Sequence, residues 1–511
     1  MVVPALPSVC VLMIRRNIVF GIFGQGLLLL LSLIATRFVF HELGAEVLGI
    51  ISFSVMLTFL FIALSDMGMS LLITREVAAH RNHDRHYVEE LVRSVAAVSW
   101  FAFLVSGALV VALAPWLIDR WLQIEVTDRA SATLALQMIS VALLLAIPRA
   151  VYGAVIAGYE RVDLWNVANL WAVAVQQLGL ILVLTAGGGL FHVAAWFGVS
   201  AVLGLPPFLY LVCRLGGVKH LYPGWKAGAL LRNLRFASRL FANSLSGFLV
   251  TQVDKWVISK FLPVSLLGYY GFAQGLVSKG GIVPGAIANA AFPALSAGVT
   301  TLTDGAWRAQ YRKLQDFTCY VYFPVSAAVA MLGIVVIRLV LNAEIAELVW
   351  RPLLLLSIGQ YLLGLLNVPY WLAIAAKRPD ISLRANLWAF LLVIPATVLL
   401  TYYYGLIGAA VSSILYAVWQ LLYFVPRFCA QCLGLPASRW YRQAGSFFAI
   451  GLTAYGLPWL SVWVLGEGLT YVGLLGGYTV GTLAFLLAGW FRTEPDLRAT
   501  LLHSVRVLRA G

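Results

Sequence analysis

Five charged residues stand inside long apolar runs of this sequence: Arg37, Arg149, Lys255, Lys279 and Asp254. A charge near the middle of a hydrocarbon layer costs at least about 2.5–3.5 kcal/mol on insertion scales, so it faces water or a partner. Four cations held there suit the binding of a strong anion through charge-assisted hydrogen bonds. Arg149 follows Pro148, and Lys279 lies among Gly275, Gly280, Gly281, Pro284 and Gly285. That glycine-rich stretch predicts a broken or bent helix, the kind of backbone that lines a cavity. Snorkelling or a local ion pair is the competing reading for each cation. Asp254 and Lys255 are neighbours, and neighbours on a helix point about 100° apart, so they need not neutralise each other. An acid inside a span is also a candidate for ion or proton coupling.

Uncharged polar residues fall on helical faces. Asn243, Gly247, Thr251 and Asp254 recur at helical spacing and predict one wet stripe. Gln25 joins Gly21, Ser32 and Thr36 in the same way, and Asn169 joins Asn166, Gln176 and Gln177. Gln25, Asn169, Asn243 and Thr251 are therefore candidate lining residues. Interhelical hydrogen bonding is the alternative for this set.

Spans must position these residues. The chain is 61% apolar and 11% charged over 511 residues, a balance no soluble protein of this length keeps. A run of about 20 apolar residues crosses about 30 Å of hydrocarbon. Such runs repeat about fourteen times, at 17–40, 47–67, 94–116, 131–157, 165–186, 191–213, 236–260, 266–295, 317–341, 350–374, 386–404, 406–426, 443–465 and 469–491. The expected fold is all-α and polytopic. With fourteen spans the basic positions Arg15-Arg16, Arg75 to Arg93, Arg161, Arg214 to Arg239, Arg308 to Lys313, Lys377 to Arg384, Arg427 to Arg442 and Arg492 to Arg509 share one side. The positive-inside rule makes that side cytoplasmic, with both termini. The net charge of +14 is then a topology signal, and nucleic acid is not an expected partner.

The chain also repeats itself. Residues 160–172 align without gaps on 377–389, with seven of thirteen positions identical at an offset of 217. Residues 43–49 align more weakly on 262–268, at an offset of 219. Two six-span halves in the same orientation follow, with the last two spans outside the duplication. The expected organisation is a cytoplasmic N-terminus (1–16), an N-lobe (17–213), a linker (214–235), a C-lobe (236–426), a loop (427–442), two further spans (443–491) and a cytoplasmic tail (492–511). Transporters built from two halves commonly place their path at the interface and work by alternating access. The first helices of the halves carry two of the polar stripes, which predicts that these face a central cavity.

Catalytic signatures are absent: there is no HExxH, P-loop, GxSxG or helix-opening GxGxxG. The outer loops are short, the longest being around Leu117 to Ala130, so none forms a catalytic domain. Residues 1–12 read as neither a signal peptide nor a lipidation box. Cys10, Cys213, Cys319, Cys429 and Cys432 are odd in number and suggest no disulfide framework. Cys429-Ala-Gln-Cys432 has no second pair, and His80, His83 and His86 fit a solvated loop. No metal and no cofactor are expected.

Leu43-Gly-Ala-Glu-Val-Leu-Gly49, Asp66-Met-Gly68 and Arg75-Glu-Val-Ala78 resemble the start of polysaccharide (O-antigen type) flippases. Asp254-Lys-Trp-Val-Ile-Ser-Lys-Phe-Leu262 and Leu267-Gly-Tyr-Tyr-Gly-Phe-Ala273 do likewise. These flippases belong to the multidrug/oligosaccharidyl-lipid/polysaccharide exporter superfamily. The resemblance implies two six-helix lobes, two extra helices that guide a lipid tail, and a cationic cavity. It implies movement of undecaprenyl-diphosphate-linked oligosaccharide across a bacterial inner membrane, beside a polysaccharide polymerase complex. The rivals are a drug or metabolite antiporter of that superfamily, a membrane glycosyltransferase or polymerase, and a silent scaffold. The first would favour acidic pockets and the second a large outer loop.

Overall fold

A computed structural model describes residues 8–226, 228, 234–288, 291, 304–464, 471–493 and 498. Hydrocarbon offers a peptide N–H no partner, so the apolar runs satisfy their backbones internally as helices. These are α1 (Ser8–Asp66), α2 (Met69–His80), α3 (Arg85–Trp116), α4 (Arg129–Leu144), α5 (Ala146–Gly158), α6 (Val162–Thr185), α7 (Leu190–Leu203), α8 (Pro206–Gly216), α9 (Leu234–Phe261), α10 (Val264–Gly280), α11 (Asp304–Val340), α12 (Ala343–Gly364), α13 (Asn367–Ala375), α14 (Asp380–Phe428), α15 (Ala437–Val464) and α16 (Tyr471–Arg492).

Among the described residues, nine helical stretches are long and apolar enough to cross a membrane. Two of them, Gly26–Asp66 and Asp380–Leu433, each hold two expected spans. The junctions are Gly44 (φ 84°, ψ 179°) and Gly405 (φ 59°, ψ −135°), backbone that only glycine adopts readily. Tyr402, Tyr403 and Tyr404 stand exposed beside Gly405, as amphipathic rings do at a membrane–water boundary.

The chain divides into two compact units: Met1–Leu245 with Leu262–Gly268, and Ser246–Phe261 with Tyr269–Gly511. In the first, α4 packs on α7, α1 on α4 and α6, and α5 on α2 and α3. The motif segments noted in the sequence build turns there. Met67 (φ 44°) and Gly68 (φ 73°) break the helix between α1 and α2, and Asp66 accepts the Ser70 N–H at 3.2 Å in the first turn of α2. The Glu46 carboxylate accepts backbone N–H groups of Glu125 and Thr127 at 2.6 Å and of Val126 at 3.0 Å, which fixes the loop before α4. A Cβ on Gly268 would lie 2.8 Å from the Gly49 nitrogen, and one on Gly49 would overlap the Val264 carbonyl. The weaker of the two sequence repeats therefore meets its own copy, glycine against glycine.

In the second unit, α12 packs on α11 and α14, and the α15–α16 pair packs on α11. Lipid supplies no hydrophobic drive between helices, so close fit must hold them. Phe323 of α11 supplies it. Its ring stacks on Phe485 of α16 (5.0 Å, 19°) and meets Tyr361 of α12 edge-on (5.0 Å, 73°). Gly451 of α15 leaves room for the same ring, because any Cβ there would collide with it.

The stronger repeat has a three-dimensional echo. Glu160 (φ 62°) and Lys377 (φ 59°) both adopt left-handed backbone, unusual for a side chain with a Cβ. They lie at the 217 offset. Arg161 grips Asp163 through two bonds (3.1 and 3.0 Å), and Arg378 grips Asp380 through the same two (3.1 and 3.4 Å). The spans before these turns are both interrupted, at Leu145 between α4 and α5 and at Leu365–Leu366 between α12 and α13. A proline follows each break, Pro148 and Pro369, where its missing N–H is least costly.

The Gly49–Gly268 contact sets a test. Gly49→Ala forces the 262–268 segment off the first unit, at a cost of about 1–3 kcal/mol for overpacking. Gly26→Ala, with open space around it, should be neutral or slightly stabilising. Melting of the two purified variants in detergent measures the difference.

Candidate functional site

The acid and base of α9 are held apart. Asp254 is 4% exposed. The Tyr270 hydroxyl of α10 donates to its Oδ2 at 2.6 Å, and the Lys255 N–H donates to its Oδ1 at 2.8 Å. The Lys255 ammonium turns to the Gln252 side-chain oxygen. The buried carboxylate is thus answered by a phenol and an amide rather than by the neighbouring ammonium. Thr251 is exposed, and its hydroxyl bonds to the Gly247 and Phe248 carbonyls at 3.0 Å. Thr251 and Asp254 therefore do not act as one wet stripe: one turns outward and the other is enclosed. Asn243 and Gln25 lie outside the residues whose side chains are described.

The remaining cations are placed as follows. Arg149 sits in the first turn of α5, half-buried, with its guanidinium 5.8 Å from the Phe208 ring centre, within cation–π reach. Among the described residues no carboxylate pairs with it. Arg37 is exposed on α1 and Asn169 half-buried on α6. Lys279 is exposed at the last turn of α10. The helix ends at Gly280, residue 281 turns, and helix resumes at 282, so the expected break is present. Gly281 is packed so closely that a Cβ would lie 2.5 Å from the Gln360 amide nitrogen. Arg37, Arg149 and Asn169 belong to the first unit, and Lys255, Lys279 and Asp254 to the second.

The best-built polar site was missed by sequence reasoning. Asn386 Oδ1 accepts from the Tyr416 hydroxyl at 3.0 Å and from Gln420 Nε2 at 2.7 Å, and Gln420 Nε2 also reaches the Tyr416 oxygen at 3.0 Å. All three are buried. They line a cavity of about 170 Å³ with Asn367, Tyr370 and Ser382, and no lining residue is charged. A Cβ on Gly247 would come 3.2 Å from the Asn386 amide nitrogen, so the bare helix face of α9 admits this cluster. One signal existed: Asn386 is the repeat counterpart of Asn169, inside the Asn-Leu-Trp-Ala match. Among the described residues no cluster of His, Cys, Asp or Glu could hold a metal.

Comparison with known proteins matches residues 14–299 to the family described as "Polysaccharide biosynthesis protein". A Shigella flexneri protein named as a candidate O-antigen transporter is 21% identical over 407 residues, 78% of this chain and 94% of its own length. Among solved structures, the lipid II flippase MurJ in an inward closed conformation superposes with a TM-score of 0.68 at 13% identity, over 92% of this chain and 97% of that one. An inward-facing multidrug resistance MATE family transporter of the MOP superfamily gives 0.63 at 14% identity, over 79% and 95%. At such identities the structures speak for the fold.

The amide cluster predicts a stability signature. Asn386→Leu leaves the buried Tyr416 hydroxyl without its acceptor and Gln420 Nε2 with only the Tyr416 oxygen, which costs about 1–3 kcal/mol. Adding Gln420→Leu to it should cost less than the two single losses combined, because the three groups act as one network. Thermal melting of the single and double variants measures this coupling.

Proposed function

The chain belongs to the polysaccharide biosynthesis protein family, and from that membership we propose that it is a flippase for undecaprenyl-diphosphate-linked oligosaccharide units, working by alternating access in a bacterial inner membrane. The match over residues 14–299 is the observation that carries the reading. The two-lobed helical fold shared with MOP superfamily transporters supports it. So does the chemistry. A diphosphate seeks guanidinium and ammonium donors, and Arg37, Arg149, Lys255 and Lys279 are the cations set into spans. Sugar hydroxyls seek neutral amides, hydroxyls and ring faces, which Asn386, Gln420, Tyr370 and Tyr416 offer. In this reading Gln25, Asn169, Asn243 and Thr251 add polar lining, and Asp254 couples transport to an ion or proton.

The chain then moves its substrate without covalent catalysis and requires no cofactor. The clustering of Lys and Arg supports a cytoplasmic position for both termini, with fourteen crossings and the lobe boundaries given above. A polysaccharide polymerase that consumes the exported unit is its expected neighbour.

The test is complementation of a deletion strain. Arg149→Ala and Lys279→Ala should each lower surface polysaccharide at least about tenfold at normal protein level, the loss expected when a charged hydrogen bond goes. Arg149→Lys should retain part of the export. Wild-type export by both alanine variants would remove Arg149 and Lys279 from the mechanism and take away the main support for a cationic cavity.

A further inference from the structure

Five arginines converge on one cavity at the basic end of the second unit. Arg308 and Arg312 come from the start of α11, Arg439 and Arg442 from the start of α15, and Arg492 from the end of α16. The cavity measures about 320 Å³, and a single carboxylate, Asp316, shares its lining. Asp316 is buried, and its Oδ1 accepts Gln443 Nε2 at 2.7 Å. Side-chain contacts tie the walls together. Trp440 donates its indole N–H to the Tyr311 hydroxyl at 3.1 Å. Arg492 donates to the Ser446 hydroxyl at 2.9 Å and lies 5.7 Å over the Phe447 ring. Gly434, in left-handed backbone (φ 61°), leaves room for Arg308, whose Nη2 would stand 3.0 Å from any Cβ there. Arg439 and Arg442 are exposed, and among the described residues neither has a carboxylate partner.

A topology signal needs basic residues near a membrane face. It does not need five of them around one hollow, where like charges repel. The arrangement is favourable once an anion enters. Guanidinium forks match phosphate oxygens two at a time, and basic pockets between helix ends on the cytoplasmic side receive lipid headgroups. Arg439, Arg442, Gln443 and Arg492 all lie on the helix pair outside the duplication, so the first half has no counterpart of this site.

We infer that the pocket formed by Arg308, Arg312, Arg439, Arg442 and Arg492 binds a lipid-borne phosphate at the membrane surface. The phosphate belongs either to an anionic phospholipid or, if the flippase reading holds, to a lipid-linked diphosphate on its way in. The second helix pair then does more than fill space: it completes an anion site at the leaflet from which lipids are drawn.

The experiment uses the full chain in nanodiscs of phosphatidylcholine. Phosphatidylglycerol and farnesyl diphosphate are added separately, and binding is read by native mass spectrometry and by melting. Arg439→Gln with Arg442→Gln should weaken binding roughly tenfold or more, given the share of each basic residue in lipid attraction. Arg384→Gln, an exposed arginine outside the pocket, should change it less than about twofold on the same scale. Preference for phosphatidylglycerol identifies a resident phospholipid, and preference for farnesyl diphosphate identifies an entry site for substrate. Should the double variant melt before ligand is added, Arg442→Gln alone is measured, with a loss of about fivefold expected. Binding of neither probe, or equal binding by wild type and variants, overturns the inference. None of these readouts involves transport, so a failure here is separable from a failure of the flippase reading.

Discussion

Hydrocarbon answers no hydrogen bond, and the remainder of this structure follows from that constraint. Among the described residues the span backbones close on themselves as helices, and the best-satisfied polar side chains find their partners inside the protein. Asp254 shows the rule in its sharpest form. Its carboxylate is enclosed and met by a phenolic hydroxyl from α10 and an N–H of its own helix. Asn386 shows it without charge, where one amide oxygen satisfies two donors at once.

The same constraint explains where the chain bends. A helix interrupted in lipid leaves carbonyls bare, so interruptions need protein around them. The break at Leu365–Leu366 is buried, and that at Gly281 is packed by the Gln360 side chain. Glycine does this work at close quarters: Gly49 against Gly268 in the first unit, and Gly451 against Phe323 in the second. The α15–α16 pair is held by the Phe323 cluster at one level and contributes three arginines and Gln443 to a pocket at another.

Much of this was legible in the sequence. Apolar runs of spanning length gave the all-α, two-lobed fold. The 217-residue offset forecast a duplication whose turns carry a left-handed residue at the matching position, Glu160 and Lys377, and the same Arg–Asp grip. The glycines around Lys279 forecast a break that falls at Gly281. What could not be read is which faces meet. Helical spacing reports one helix at a time, whereas Asn386 finds Tyr416 and Gln420 on the other leg of α14, across the Gly405 junction. Trp440 finds Tyr311, and Gln443 finds Asp316, more than a hundred residues away in the chain. The stripe expected on α9 failed for a related reason. Thr251 spends its hydroxyl on its own backbone, while Asp254, three residues on, turns to α10.

The proposed role is to carry a lipid-linked glycan from one leaflet to the other. The leaflet in which the undecaprenyl-linked repeat unit resides, measured in a deletion strain with and without the restored gene, tests it most directly. For a flippase the unit accumulates facing the cytoplasm without the protein and reaches the outer face when the gene returns. Repeat units that already face outward and remain unpolymerised in the deletion strain would contradict it, and would place the protein after the crossing step.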